Sequence, residues 1–443
     1  MLVLLYKLNF MLKQFTRQIR LLYIAIYTLI GIVVLYKGPI FYPDSYTFLE
    51  MAINRSAVYS IFLKCFTTIF GEWYKIPVLI GQYLLMVFAT HLLLKTVFKI
   101  LKLHVISIIV FQLVLLGNAV IWYDSVNRIL SEAVSFPLLL ILVACLFQTL
   151  KYKSFSSVWK IVLLLFLLQF TRGQFIVFLP VAILVFSYVM YLTKTIKKGV
   201  FYIILVALIP IFTSFSERVY NKITINQYKN YAMTYVHFIT APFYLANSND
   251  VAVFETQEEK DFFNRTFKVL ESKRLTLDMA LEDKQPPYMF FQEKFSTICN
   301  ATIHQYNMDL YAAKGFTEYE QQYKVDELTT KMFFPLLKAN FTGWVNHVKR
   351  SFTKGVGGKL VLLVLCLILV YSLWLFLKTN DHRFLFLILV IVLKFANNII
   401  IAMVVHSIER YTYYFDWILF AALILLLDPL LKSTMRLGKN SLN

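Results

Sequence analysis

The chain has 443 residues, of which 59% are hydrophobic, 17% aromatic and only 16% charged. A soluble domain carries nearer a quarter charged residues, and apolar runs of about twenty residues recur here, long enough for a hydrocarbon core of about 30 Å. The formal charge of +19 sits between the apolar runs, with no Lys/Arg-rich arm; this argues against a nucleic-acid partner and for an all-α polytopic membrane protein in a lipid bilayer.

Taken in chain order, ten runs read as transmembrane helices: about 19–36, 76–94, 103–122, 129–150, 157–171, 174–193, 199–215, 358–378, 384–405 and 412–431. The first follows Lys7, Lys13, Arg17 and Arg20 without a small-residue cleavage site, so it reads as a retained helix. Alternation puts the N-terminus, the segments 95–102, 151–160, 194–198 and 378–383, and the C-terminus (with Arg436 and Lys439) on one side. Lys and Arg cluster there, and the acids are only Asp381 and Asp428. The positive-inside rule then makes both termini cytoplasmic. Three blocks follow: a transmembrane module 1–215 with a first outer loop 37–75, a near-neutral extracytoplasmic segment 216–357, and a transmembrane module 358–443. Within 216–357, the stretches 257–275 and 287–311 read as amphipathic helices. Its end, MFFPLLKANFTGWVNHVKRSF, reads as an interfacial helix with Trp344 at headgroup level.

The outer side carries the charged residues that need explaining. In FYPDSYTFLEMAINRS, residues 45–54 fit a short helix with Asp44 at its start, and 57–70 fit a second, too short to span. Asp44 after Pro43 suits a helix cap, and a capping carboxylate can also serve as a base. In IWYDSVNRILSEAVSFP, Asp124, Arg128 and Glu132 are spaced by four and share one side of a helix, with an Arg128–Glu132 pair as the structural alternative. In LLLQFTRGQFIVFLP, Arg172 stands between apolar runs, either reaching headgroups or holding a phosphate. In VVHSIERYTYYFDWILF, His406, Glu409, Arg410 and Asp416 cluster among tyrosines that suit an aromatic belt. Lys394 falls midway through the ninth run and needs an anionic partner, for which Glu132 is a candidate, or a wet cavity. Gln82, His91, Gln112, Asn118 and Gln169 suit interhelical hydrogen bonds.

These blocks, in this order, resemble the GT-C superfamily of integral-membrane glycosyltransferases, nearest the protein O-mannosyltransferase and aminoarabinose-transferase branch. The first loop keeps Asp44, Ser45, Leu49, Arg55 and Tyr59 of the family pattern, with Ser56, Ala57 and Ser60 where prolines are usual. ILSEAVSF is similar to the Ser-Glu block, QFTRGQF to the Thr-Arg-Pro block with Gly173 for proline, and IERYTYYF to the late Glu-Arg-Tyr block. The resemblance implies about ten membrane helices, juxtamembrane helices in the first loop and a mainly helical outer cap. It implies a polyprenyl-phosphate or polyprenyl-diphosphate sugar as donor and a lipid, glycan or protein as acceptor. Asp44 would be general base, with Glu132 or Asp124 orienting acceptor or base. Arg172, then Arg410 and Lys75, would meet the leaving phosphate, with Arg55, Tyr59, Arg128, Glu409 and Lys394 around the substrates. No cofactor or metal is indicated, although neighbouring carboxylates leave a divalent metal open.

Two other classes stay open on the residues alone. A polysaccharide polymerase or ligase would use arginines of the large loops, here Arg218, Arg265, Arg274 and Arg350. A transporter or flippase of lipid-linked sugars would place polar groups at midplane, as Lys394 does. Four scattered cysteines (Cys65, Cys145, Cys299, Cys366) give no metal or disulfide spacing. Sequons at Asn54, Asn264, Asn300 and Asn340 fall on the outer side; the compact size and Lys/Ile/Asn-rich usage favour a bacterial plasma membrane.

Overall fold

The computed structural model describes residues 17–53 and 55–440, the stretch 434–440 by backbone alone. Lys7, Lys13, the Asn54 sequon and the side chains of Arg436 and Lys439 lie outside the described residues. The described residues are helical, apart from loops and one isolated parallel bridge between Ile40 and Arg128.

Among the described residues, nine helical stretches are long and apolar enough to cross a membrane: Arg17–Lys37, Ala57–Leu101, Val105–Trp122, Glu132–Tyr152, Gly173–Thr193, Ile196–Ile225, Lys359–Thr379, His382–Val404 and Glu409–Ser433. The chain is an all-α, multi-pass membrane protein. The expected run 157–171 falls on Phe155–Thr171, which is apolar but shorter.

The stretch Ala57–Leu101 is not one rod. Gly71 takes φ +54°, a conformation that suits glycine, and ends the helix Ala57–Phe70 before a tight turn leads into Lys75–Leu101. The Phe66 ring then packs where a Cβ on Gly81 would stand 2.6 Å from it. The short helix is thus seated in a notch of the span that follows it. At their other ends the helices Lys75–Leu101, Glu132–Tyr152 and Phe178–Thr193 stop at Lys102, Lys153 and Lys194, each with positive φ. Left-handed residues close helices, and cations there complement the negative end of the helix dipole.

The chain forms two compact units. The first runs to Tyr228 and takes in Leu363–Ala396 and the chain from Tyr413 onward. Its most enclosed helix is Glu132–Tyr152, whose residues from Glu132 to Leu140 are all buried. Around that helix the polar side chains bond between helices as expected: Gln112 Nε2 donates to the Tyr23 carbonyl at 3.0 Å, and the Tyr23 hydroxyl lies 3.1 Å from His91 Nδ1.

The second unit is Lys229–Leu362 with Asn397–Thr412. Capping boxes open two of its helices, Thr256 with Glu259 and Thr317 with Glu320. Phe243, Phe262, Phe263, Phe291 and Phe295 pack in its core. The expected amphipathic stretches appear as Gln257–Ser272 and as the run Pro287–Ser296, Thr297–Gln305, Tyr306–Ala312, whose middle part is a π-helix. The expected interfacial helix is broken at Asn340, between Glu318–Ala339 and Phe341–Val356, and Trp344 packs against the unit's aromatic core.

Candidate functional site

The first unit gathers most of the charged loop residues singled out above, held first by backbone. The Ile40 N–H donates to the Asn127 carbonyl at 2.8 Å, and the Ile129 N–H donates to the Ile40 carbonyl at 2.9 Å. Asn127, fully buried, donates from Nδ2 to the carbonyls of Val34 at 2.8 Å and Gly38 at 2.9 Å. Gln82 Nε2 donates to the Val126 carbonyl at 2.7 Å, and its Oε1 accepts from the Tyr59 hydroxyl at 2.7 Å. The loop that carries Asp44 is therefore stitched to the loop that leads into Glu132, and Tyr59 is a buried strut of that seam.

Asp44 lies in the first turn of the helix Pro43–Leu49. It does not cap it: the Tyr42 N–H is taken by the Ser45 hydroxyl at 2.9 Å. The Asp44 carboxylate meets Arg55 Nη2 at 2.7 Å, and Arg55 Nε donates to Thr47 Oγ1 at 2.6 Å. The Arg55 guanidinium also lies over the Phe48 ring. Asp44 keeps 29% of its side chain exposed and Arg55 22%. A carboxylate held in orientation by a guanidinium yet open to the surface can take a proton from a bound hydroxyl or amine.

Deeper in, Glu132 Oε1 meets Arg172 Nη1 at 2.7 Å, with Glu132 2% and Arg172 12% exposed. The chain leaves the helix Val158–Thr171 in extended form at Arg172, with φ −155° and ψ 127°, which separates that helix from the turn at Gly173. Arg172 Nη1 also lies 3.5 Å from the Tyr414 hydroxyl, which is 2.9 Å from the Ser135 hydroxyl. The expected Arg128–Glu132 alternative is not formed. Glu132 pairs across the chain instead, and the Arg128 guanidinium lies over the Tyr42 ring.

A second ion pair has one buried member. Lys394 Nζ meets Asp416 Oδ1 at 2.7 Å, and the Tyr123 hydroxyl donates to Asp416 Oδ2 at 2.6 Å. Lys394 is 4% exposed, and an anion found against it is Asp416. Asp124 pairs with Lys37 at 2.6 Å, and Lys37 Nζ also donates to the Val120 carbonyl at 2.8 Å. The expected one-sided helix of Asp124, Arg128 and Glu132 does not exist: the helix unwinds after Trp122 and Asp124 takes φ +51°.

The tyrosine belt is also corrected. Tyr413 and Tyr414 are fully buried, with ring centroids 4.6 Å apart, and Tyr413 lies 4.9 Å from the Tyr123 ring. They join the Arg172 and Asp416 pairs by packing and by the Tyr414 hydroxyl. Lys75 stands 5.6 Å from the Phe41 ring centroid. Glu409 and Arg410 belong to the second unit, on the short helix Glu409–Thr412.

Of the loop arginines, Arg274 is clamped to Asp283 at 2.7 Å and Glu282 at 3.2 Å, and Arg265 Nε donates to Asn307 Oδ1 at 2.9 Å. Arg350 lines a cavity of about 210 Å³ in the second unit, with His347, Tyr244 and Tyr288. Burial holds His347 down to about 4, with the Arg350 charge adding to the effect, and burial likewise lowers His304 and His406 to about 4.

Residues not singled out from sequence complete the site: Lys37, Ser135, Asn127 and Tyr123. Lys37 directly follows the first apolar run, which was the available signal; the others became visible only when distant turns met. Among the described residues, no group of His, Cys, Asp or Glu is arranged to hold a metal ion. Comparison with protein-family models, with curated proteins and with solved structures finds no match to the chain.

Proposed function

We propose that the chain is an integral-membrane glycosyltransferase of GT-C type, moving a sugar from a polyprenyl-phosphate or polyprenyl-diphosphate donor to an acceptor on the extracytoplasmic face. The observation that carries the reading is Asp44, a surface-open carboxylate oriented by Arg55 on a loop stitched to the one that leads into Glu132. The sidedness rests on the lysine-rich helix ends, which the positive-inside rule assigns to the cytoplasm; a bacterial plasma membrane rests on the compact size and Lys/Ile/Asn-rich usage.

In this reading an acceptor hydroxyl or amine loses its proton to Asp44 as its oxygen or nitrogen forms a bond to the anomeric carbon. The bond from that carbon to the phosphate oxygen breaks, and the phosphate leaves as an anion. It needs cationic stabilisation more than a proton. Arg172 supplies it, with Lys75 as a further candidate, and Glu132 acts through Arg172 as a positioning residue. Arg55 positions Asp44. Lys394 and Asp416 brace the last helices, and Asp124, with Lys37, fixes the second loop.

The test is sugar transfer from radiolabelled polyprenyl-phosphate sugars in membranes, wild type against Asp44→Asn at matched expression. Loss of transfer by about a hundredfold or more supports the base; full transfer in the variant removes it. A polysaccharide polymerase or ligase is the second reading, favoured by Arg350 in the wall of a cavity that Tyr244, Tyr288 and His347 also line. It predicts chain-length extension of a lipid-linked glycan that is lost in Arg350→Ala and kept in Asp44→Asn.

A further inference from the structure

Four helices of the second unit surround the cavity of about 210 Å³ that Arg350 lines: Thr234–Leu245, Leu277–Glu282, Pro287–Ser296 and Phe341–Val356. Its inner wall is Tyr244, Tyr288 and His347, all buried. The polar ends of the two tyrosines are committed to protein. The Tyr244 hydroxyl donates to the Pro287 carbonyl at 2.8 Å. The Tyr288 hydroxyl accepts from the Ser351 hydroxyl at 3.0 Å and from the Ser407 N–H at 2.8 Å. Burial keeps His347 uncharged, and its ring stands edge-on to Phe291 with centroids 4.4 Å apart. Gly343 leaves room beside them: a Cβ there would meet only Leu245, at 3.9 Å. The inner part of the cavity is thus an apolar slot.

The rim differs. Leu281, Asn346 and Arg350 line the cavity and are exposed. Arg350 is the one charged residue of the lining, and among the described residues no carboxylate pairs with it. The acids that follow Leu281, Glu282 and Asp283, are held by Arg274 at 3.2 and 2.7 Å. The helix Phe341–Val356 carries no acid of its own. A guanidinium offers a carboxylate two parallel N–H donors, and Asn346, one turn earlier, adds an amide. One cation asks for one negative charge, which a carboxylate carries and a phosphate monoester exceeds.

We infer that this cavity binds a single-chain aliphatic carboxylate, its chain between the aromatic rings and the leucines and its head group on Arg350. An apolar cavity of about 150 Å³ takes a six-carbon ring, so this one has room for a chain of about eight carbons. The inference rests on neither reading of the transfer reaction.

The experiment uses the full chain in phosphatidylcholine nanodiscs and octanoate that carries a photoactivatable diazirine near its methyl end. Labelled peptides are located by mass spectrometry. Saturable label is expected at Leu245 and within 277–287 and 343–350. In Arg350→Gln, a change at an exposed side chain, half-labelling should need on the order of tenfold more octanoate, the share of one charge-assisted bond. Gly343→Leu keeps Arg350 but fills the slot, and should abolish label at these peptides while sparing label elsewhere on the chain. Octanol with the same diazirine should label them on the order of tenfold less readily, for want of the charge. Equal labelling by octanol overturns the inference, as does unchanged labelling in both variants. Octyl phosphate that displaces the label at lower concentration than unlabelled octanoate overturns the carboxylate assignment. Displacement by maltotriose gives the cavity to a glycan and overturns the inference.

Discussion

Arg172 and Glu132 meet at 2.7 Å with almost no exposure to solvent on the glutamate. Two buried charges stabilise a fold little beyond what well-packed apolar groups would, yet losing one leaves the other uncompensated. Arg172→Ala is therefore not a clean probe of phosphate binding. Arg172→Ala or Glu132→Ala should each cost about 3–5 kcal/mol of stability. The double variant Arg172→Met/Glu132→Leu should recover much of it. Chemical unfolding in detergent, arranged as a double-mutant cycle, checks this; additive losses would show that the pair is not coupled.

Asp44 behaves differently because it is open to the surface. Asp44→Asn should unfold within about 1 kcal/mol of wild type, as exposed ion pairs contribute little. Transfer should nevertheless fall at least about a hundredfold. Arg55→Gln should reduce transfer less, since it loosens the base without removing it. Midpoints and initial rates measured on the same preparations separate the two effects.

The seam through Ile40 gives a third expectation. Asn127→Ala leaves the carbonyls of Val34 and Gly38 without their amide donor in a buried site, at a cost of about 1–3 kcal/mol. Hydrogen exchange at the amides of Ile40 and Ile129 should speed up, while that at Leu142 and Val143, in the middle of a buried helix, stays slow. Equal acceleration at both places would mean global loosening instead.

The second unit should weaken in acid. His304, His347 and His406 are held by burial to about 4, against an ordinary 6.5. Unfolded, they take protons below that ordinary value; folded, they do not. Each contributes stability that is complete above about pH 6.5 and is lost as pH falls towards 4, by about 1.4 kcal/mol per pH unit. Asp326 works the other way: burial raises it to about 6, although the Tyr235 and Val236 amides partly offset this. Its contribution is present at low pH and lost as pH rises through 6. Three groups against one leave a net loss on acidification. The unfolding midpoint should drop between about pH 7 and about pH 5, and His347→Phe should flatten the slope by about one proton.

What the sequence reveals here follows from how local each question is. The spans, the short helices of the first loop and the amphipathic helices of 216–357 depend on periodicity and length; among the described residues nine helices are long and apolar enough to cross where the sequence suggests ten, and the first short helix is Pro43–Leu49 rather than 45–54. The helical stripe through Asp124, Arg128 and Glu132 required an unbroken helix, but the chain unwinds after Trp122. The pairing of Lys394 with Asp416 required knowing which residues of the distant last stretch come to its depth. Tyr413 and Tyr414 look like interfacial residues because belts and buried stacks share a composition; the difference lies in what packs on them.

The bridge between Ile40 and the segment 127–129 also sets an order of events during synthesis. Asp44 is made early, but the residues that pin its loop are encoded after two further membrane crossings. Until those crossings are inserted, the loop has no Asn127 to hold Val34 and Gly38 and no carbonyl to receive the Ile40 amide. The nascent chain thus carries Asp44 on an unfinished loop. A ribosome-stalled chain that ends before Asn127 should leave that loop open to protease, and one released beyond Leu130 should close it.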